Sequence, residues 1–309
     1  MGWPLPDGFS AVSVRWLSVL FLVVFCVAVL PNTGFAEDPT PAATASDDVP
    51  RPNFFSIITN LPSDYRDWFF DTFTRENIPS LLALTGLTGM LVMTDYETWQ
   101  VVKYPYDNNE TFHNVIEFGE TWSGGNFQYG AAAAFLTAGI FGSHRALRTA
   151  YQIGEGILSS GIIVQILKHT TGRQSPFKAT SRTGRWRVPP SYNDYSHNTQ
   201  EFDAMPSGHL QSIAVTMFVI MENYPGQHWI PWVVYPSLGF FATSLVGSGI
   251  HWWSDMPIAL ALSYSFAKVI TRRNDIKKTD GPPKVSYWPQ FFPSVSDEGA
   301  PVVSANWVF

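Results

Sequence analysis

The chain has 309 residues, of which 45% are hydrophobic and 14% charged, with a formal net charge of −6. So much apolar surface is incompatible with a disordered chain, and the acidic balance argues against a nucleic-acid partner. A single cysteine, Cys26, rules out an internal disulfide and a cysteine-built zinc site. The aromatic content (12 Trp, 23 Phe and 12 Tyr) points to lipid contact or to a large helical core.

Residues 1–36 read as a bacterial-type export signal. Arg15 precedes an uncharged apolar run from Trp16 to Leu30, Pro31 to Gly34 break it, and Gly34-Phe35-Ala36 offers small residues at cleavage spacing. An uncleaved anchor is the other reading of the same run. Residues 37–77 follow as a unit. Their first part, rich in Ala, Thr, Asp and Pro, reads as a flexible leader. Their second part mixes Phe54, Phe55, Trp68, Phe69 and Phe70 with Asp64, Arg66 and Asp67. That mixture predicts an amphipathic helix lying on the core or on a membrane surface.

Residues 78–270 predict an all-α bundle of about six core helices, at roughly 79–94, 127–142, 150–168, 208–222, 229–247 and 255–270. No strand-type alternation competes there. Residues 271–309 carry Arg272, Arg273, Lys277 and Lys278, then prolines and aromatics, and predict an irregular tail laid on the core. A spanning helix needs about 20 apolar residues, a length that the stretch near 229–250 reaches and the others do not. Six spans would also place Arg145 and Arg148 on the wrong side for the positive-inside tendency. The expectation is therefore a soluble or peripheral bundle in the periplasm, or one associated with a membrane and facing the periplasm.

Three motifs carry candidate chemistry. Lys168 opens a basic run that holds Arg173, Lys178, Arg182, Arg185 and Arg187 and no acidic residue before Arg187. Such a run fits an anion site or a solvated basic loop. Pro206-Ser207-Gly208-His209 precedes a helix. Ser207 is placed to cap it, Gly208 lets an anion approach the amides of the helix end, and His209 is placed to move a proton. An ordinary cap with a surface histidine has the same letters. His251-Trp252-Trp253-Ser254-Asp255 sets an imidazole and a carboxylate four residues apart. A carboxylate that holds one ring nitrogen frees the other as a nucleophile, although a helix-start aspartate beside an interfacial histidine reads the same way. His169 beside Lys168 is a further candidate site lining. Trp186, Trp252 and Trp253 suit a pocket wall or core packing, and Glu155 reads as a helix-surface glutamate or a partner for a basic site residue.

In this order the motifs resemble the type 2 phosphatidic acid phosphatase (PAP2) superfamily, which includes bacterial class A acid phosphatases and vanadium haloperoxidases. The family pattern is Lys, six residues, Arg-Pro; then Pro-Ser-Gly-His; then Ser-Arg, five residues, His, three residues, Asp. Lys168, Pro176, the whole of Pro206–His209, Ser244, His251 and Asp255 match it. The two arginine positions hold Ser175 and Leu245. Each lost donor would cost about 2–4 kcal/mol of transition-state stabilisation. Arg173 is the nearest substitute for one, and Arg182, Arg185 or Arg187 for the other.

The resemblance implies an exported, metal-independent phosphatase that hydrolyses phosphomonoesters or lipid (di)phosphates through a phosphohistidine. His251 would be the nucleophile, His209 the acid and then base, and Asp255 the group that orients His251. Lys168, Arg173, Ser207 and Gly208 would bind phosphate. It implies no cofactor, with vanadate as an inhibitor, and a phosphorylated lipid or small phosphoester as partner. Two other outcomes stay open. One is a catalytically impaired phosphate- or lipid-binding protein that has lost the two arginines. The other is a vanadium haloperoxidase, in which vanadate is the cofactor.

Overall fold

The structure, a computed structural model, describes residues 52 and 55–272, and the backbone of 286–295 and 301–308. The expected export signal and most of the leader lie outside the described residues. Two short helices come first, α1 (Ser56–Thr59) and α2 (Leu61–Thr72). Trp68 of α2 stacks on Phe266 at 4.9 Å and its Nε1 donates to Ser265 at 2.9 Å, which lays the helix against the bundle.

The bundle opens with α3 (Ile78–Asn108) and α4 (Glu110–Thr121). This corrects the sequence reading, which ends the first core helix near 94 and has no further helix before 127. Hydropathy falls at Asp95, but nothing there breaks a helix. Pro105 comes only in the last turn of α3, and the extended Asn109 then caps α4 by accepting from the Phe112 amide at 2.8 Å. A π-turn at Trp122–Asn126 leads into α5 (Phe127–Ile140).

Helix α6 (His144–Thr171) starts six residues earlier than the apolar pattern indicated, because Ser143 caps it through the Ala146 amide. It stops at Gly172, whose φ of 52° is left-handed. A side chain there would also meet the Arg187 carbonyl oxygen at 2.0 Å, so glycine is required on two counts. A long loop with the short helix α7 (Tyr192–His197) crosses to α8 (Gly208–Asn223). Then come α9 (Ile230–Gly247) and α10 (Met256–Arg272).

Helix α8 is the axis of the core. Leu210, Ile213, Ala214, Val215 and Val219 have no exposed surface, and they pack among Ile153 of α6, Leu238 and Leu245 of α9, and Ala259 and Ala267 of α10. A helix apolar on every side is stable only when wrapped in this way. The described residues from 55 to 272 are all-α, as expected. The tail differs from its expected irregularity: Ser286–Val295 (β1) and Pro301–Val308 (β2) pair as an antiparallel hairpin, with Phe291 opposite Ala305 and Pro293 opposite Val303. Aromatic and β-branched residues make up half of each segment, a composition with high strand propensity.

The site follows from the way these helices end. The C-terminus of α6, the N-terminus of α8, the segment after α9 and the start of α10 meet at one end of the bundle. Asp95 of α3 reaches the same level.

Candidate active site

His209 and His251 face each other. His209 Nδ1 lies 3.3 Å from His251 Nε2, although 42 residues separate them. His251 Nδ1 donates to the Ala204 carbonyl at 2.7 Å. That bond assigns the proton to Nδ1 and leaves the Nε2 lone pair facing His209. His209 Nδ1–H then donates to His251 Nε2.

His251 is buried, and its backbone amide is held by the Leu245 carbonyl at 3.1 Å. Burial, helped by the nearby Lys168 charge, holds it neutral, with its pKa pushed down to about 3. His209 is pushed down to about 4 by burial, by His251 and by Lys168, with Asp203 acting in the opposite direction. Both rings are therefore neutral near pH 7 before an anion arrives.

Ser207 caps α8, accepting from the Leu210 amide at 3.2 Å, and its own amide donates to the Asp255 carbonyl at 3.0 Å. The amides of Gly208 and His209 are the first in α8 and have no partner inside the helix. A Cβ added to Gly208 would lie 3.5 Å from Lys168 Nζ, so the ammonium stands beside this helix end. Lys168 is buried, and its Nζ is 3.4 Å from Asp203 Oδ2. A lysine, a helix N-terminus and two imidazoles thus converge where a tetrahedral oxyanion would be held.

The other expected residues lie elsewhere. Asp255 does not hold His251 directly: its Oδ2 is 3.7 Å from Nδ1, and the Ala204 carbonyl has taken that bond. Asp255 Oδ2 accepts instead from the Trp252 amide at 2.7 Å, as a capping residue of the Trp253–Asp255 turn. Arg173 corrects the phosphate-binding expectation. Its Nη1 donates to Asp255 Oδ1 and to Ser254 Oγ, both at 2.6 Å. Its Nη2 donates to Asp95 Oδ2 at 2.6 Å and to the Thr183 carbonyl, and its Nε donates to that carbonyl too. All its donors are spent on the protein, and Trp186 and Trp252 clamp its faces at 4.7 and 5.3 Å.

Arg182 pairs with Glu97, Arg187 lies 3.8 Å from Asp194, and Arg185 is exposed. Ser175 and Leu245, at the family's arginine positions, are both buried, Leu245 within the apolar core. His169 turns to stack on Tyr195 at 4.0 Å. Glu155 is not a surface residue: it is 3% exposed, accepts from Asn60 at 3.3 Å, and burial pushes its pKa up to about 7. It sits about 20 Å along α6 from Lys168, at the rise of an α-helix.

Sequence reasoning missed Asp95, Asp203 and the Ala204 carbonyl. Asp95 had one signal, being the first charge after the apolar run of α3. Its carboxylate also accepts from the Ser254 amide and hydroxyl, which completes a buried cluster of Asp95, Arg173, Ser254 and Asp255. Burial raises the pKa of Asp95, and pushes that of Asp255 up to about 6, against the lowering effect of Arg173. One guanidinium between two carboxylates does not fully compensate their desolvation.

Among the described residues no group of three His, Cys, Asp or Glu is arranged to hold a metal ion. No curated protein and no solved structure matches the chain significantly. The family model of the PAP2 superfamily matches residues 149–277, the stretch that carries Lys168, the α8 cap and both histidines.

Proposed function

We propose that this site hydrolyses phosphate esters through a phosphohistidine. The observation that carries the reading is the pairing of His209 and His251 at 3.3 Å, with the nucleophile's tautomer fixed by Ala204. A phosphoryl group entering between the rings replaces their mutual hydrogen bond. The Gly208 and His209 amides and Lys168 take its oxygens. His251 Nε2 attacks phosphorus, the bond from phosphorus to the leaving oxygen breaks, and His209 supplies the proton that oxygen needs. Water, deprotonated by His209, then attacks phosphorus and breaks the P–N bond. An arriving anion raises the proton affinity of both rings, so His209 takes up a proton from solvent as the substrate binds and carries it to the leaving oxygen.

Replacing His251 by Ala is expected to lower turnover of a broad phosphoester panel at least about 10³-fold without unfolding the chain. Unchanged turnover would remove the nucleophile from the mechanism. Vanadate, which adopts a five-coordinate geometry, is expected to inhibit.

A second reading rests on the cations: Ser175 and Leu245 are turned into the protein and Arg173 is spent. This favours a protein that binds phosphate or a phospholipid without turning it over, and retained phosphate binding with no turnover would select it.

We also place the protein outside the cytoplasm, at a membrane. Helices α3 and α9 are long and apolar enough to cross a bilayer. On α3, Leu82, Met90 and Met93 are exposed, and beyond α5 so is Phe141, large apolar side chains that suit contact with lipid. The catalytic end lies at the level of Asp95, where the apolar half of α3 stops, which suits a substrate whose phosphate stands at a membrane surface. Retention of the chain in the membrane fraction after a carbonate wash tests this placement.

A further inference from the structure

We propose that Asp203 is a specificity-determining residue: its carboxylate shares the Lys168 ammonium with the incoming ligand and sets the site to take phosphoryl groups that carry a single negative charge. This rests on the phosphoester reading above and narrows its substrate class.

Arg173 is neutralised by Asp95 and Asp255, Arg182 is paired with Glu97, and Arg187 lies near Asp194. Lys168 remains at the helix end, and 3.4 Å from its Nζ stands Asp203 Oδ2. The lysine head is thus half-satisfied by a resident anion before any ligand enters.

Asp203 is not a loose surface residue. The next amide, of Ala204, donates to the Arg173 carbonyl at 3.0 Å, and the Ala204 carbonyl accepts from His251 Nδ1. The same short segment therefore orients the nucleophile and delivers a carboxylate beside it. Only 26% of that side chain is exposed, and its charge acts on both imidazoles.

A dianionic phosphoryl group would meet one lysine, two helix-end amides and a repelling carboxylate. A singly charged group, such as a phosphodiester, is balanced by Lys168 and the helix end without displacing Asp203. Tyr195, whose hydroxyl pKa burial raises to about 12 with help from Asp203, adds no positive charge there.

The test compares two esters of one leaving group on the purified full chain. They are 4-nitrophenyl phosphate, which carries two charges at about pH 8, and methyl 4-nitrophenyl phosphate, which carries one. The wild type is expected to show the higher kcat/KM on the diester. Asp203→Asn is expected to move the ratio toward the monoester by about tenfold or more and to tighten inorganic phosphate binding, measured by calorimetry, by a similar factor.

An unchanged ratio with unchanged phosphate affinity overturns the proposal. So does a wild type that prefers the dianionic ester, a result that stands even if the variant does not fold. If neither ester is turned over, the hydrolase reading fails, and the calorimetric arm still decides: tightening in Asp203→Asn supports the role of Asp203 and no change removes it. Detergent-dispersed phosphatidylglycerol, run beside the soluble diester, distinguishes a lipid source of the phosphodiester from a water-soluble one.

Discussion

Arg173→Met removes the one cation of the buried Asp95–Arg173–Asp255 cluster while keeping an unbranched apolar side chain between Trp186 and Trp252. Both carboxylates lie 2.6 Å from the guanidinium, and all three side chains have no exposed surface. Breaking a buried pair on one side costs about 3–5 kcal/mol, because the other charge is left in a medium that cannot solvate it. Two carboxylates lose their counter-charge here and the Thr183 carbonyl its guanidinium donors, so the upper end of that range applies, about 5 kcal/mol. For a helical body of this size each kcal/mol moves the midpoint by about 2–4 °C, which gives a fall of roughly 10–20 °C.

The loss has a pH signature. Burial already raises Asp95 and pushes Asp255 up to about 6 with Arg173 in place. Without it both rise further, and the folded state binds more protons than the unfolded state between the ordinary carboxylate pKa and the raised one. Stability then falls as pH climbs through that window. The variant is therefore expected to be hurt less at pH 5 than at pH 8, and Asp95→Asn in the Arg173→Met background to recover part of the loss. Denaturant unfolding across that pH range measures all three. A cost under about 1 kcal/mol, or one that is flat with pH, would refute the claim that Arg173 neutralises two ionised groups.

The remaining predictions concern packing and the imidazoles. Gly139→Ala should destabilise the α5–α6 hairpin by about 1–3 kcal/mol, because the added Cβ would lie 2.6 Å from Leu147 Cα, a backbone atom that cannot step aside. Thermal unfolding would show it, and a neutral result would mean that the two helices do not approach so closely. His251 has a folded pKa of about 3 against 6.5 in the unfolded chain. The unfolded state therefore binds the extra proton, and stability is complete above pH 6.5 and lost as pH falls toward 3, by at most about 1.4 kcal/mol per unit. His251→Asn should flatten that acid limb, and an unchanged slope would show that His251 is not buried in its neutral form.

What the sequence disclosed of this site was its ends. Ser207 caps α8, and the Lys168, His209 and His251 positions converge because each lies at or beside a helix terminus, where a short motif fixes local geometry by itself. What stayed hidden was the set of contacts that arise between distant segments. Nothing local to His251 shows that a carbonyl 47 residues earlier would take its Nδ1, leaving Asp255 to cap the turn at Trp252. The four-residue spacing correctly put the two side chains on one side, but spacing does not rank competing acceptors. Helix boundaries failed for a related reason: a drop in hydropathy at Asp95 was read as the end of a helix, although it marks only the depth at which α3 reaches the polar cluster.

That cluster also explains how a site lacking two arginines keeps its architecture. In this chain the basic loop turns inward at Arg173, and the guanidinium binds Asp255 from one segment and Asp95 from another. Through the Ser207 amide on the Asp255 carbonyl, the same cluster reaches the cap of α8. The positive charge serves to lock three helices together at this end of the bundle, and Lys168 and a helix terminus are what the candidate site keeps for an anion. A site built this way has a rigid frame and a weak field. On the proposed phosphoester reading, rate enhancement comes mainly from the placement of His209 and His251, and ligand choice from how little charge the ligand brings.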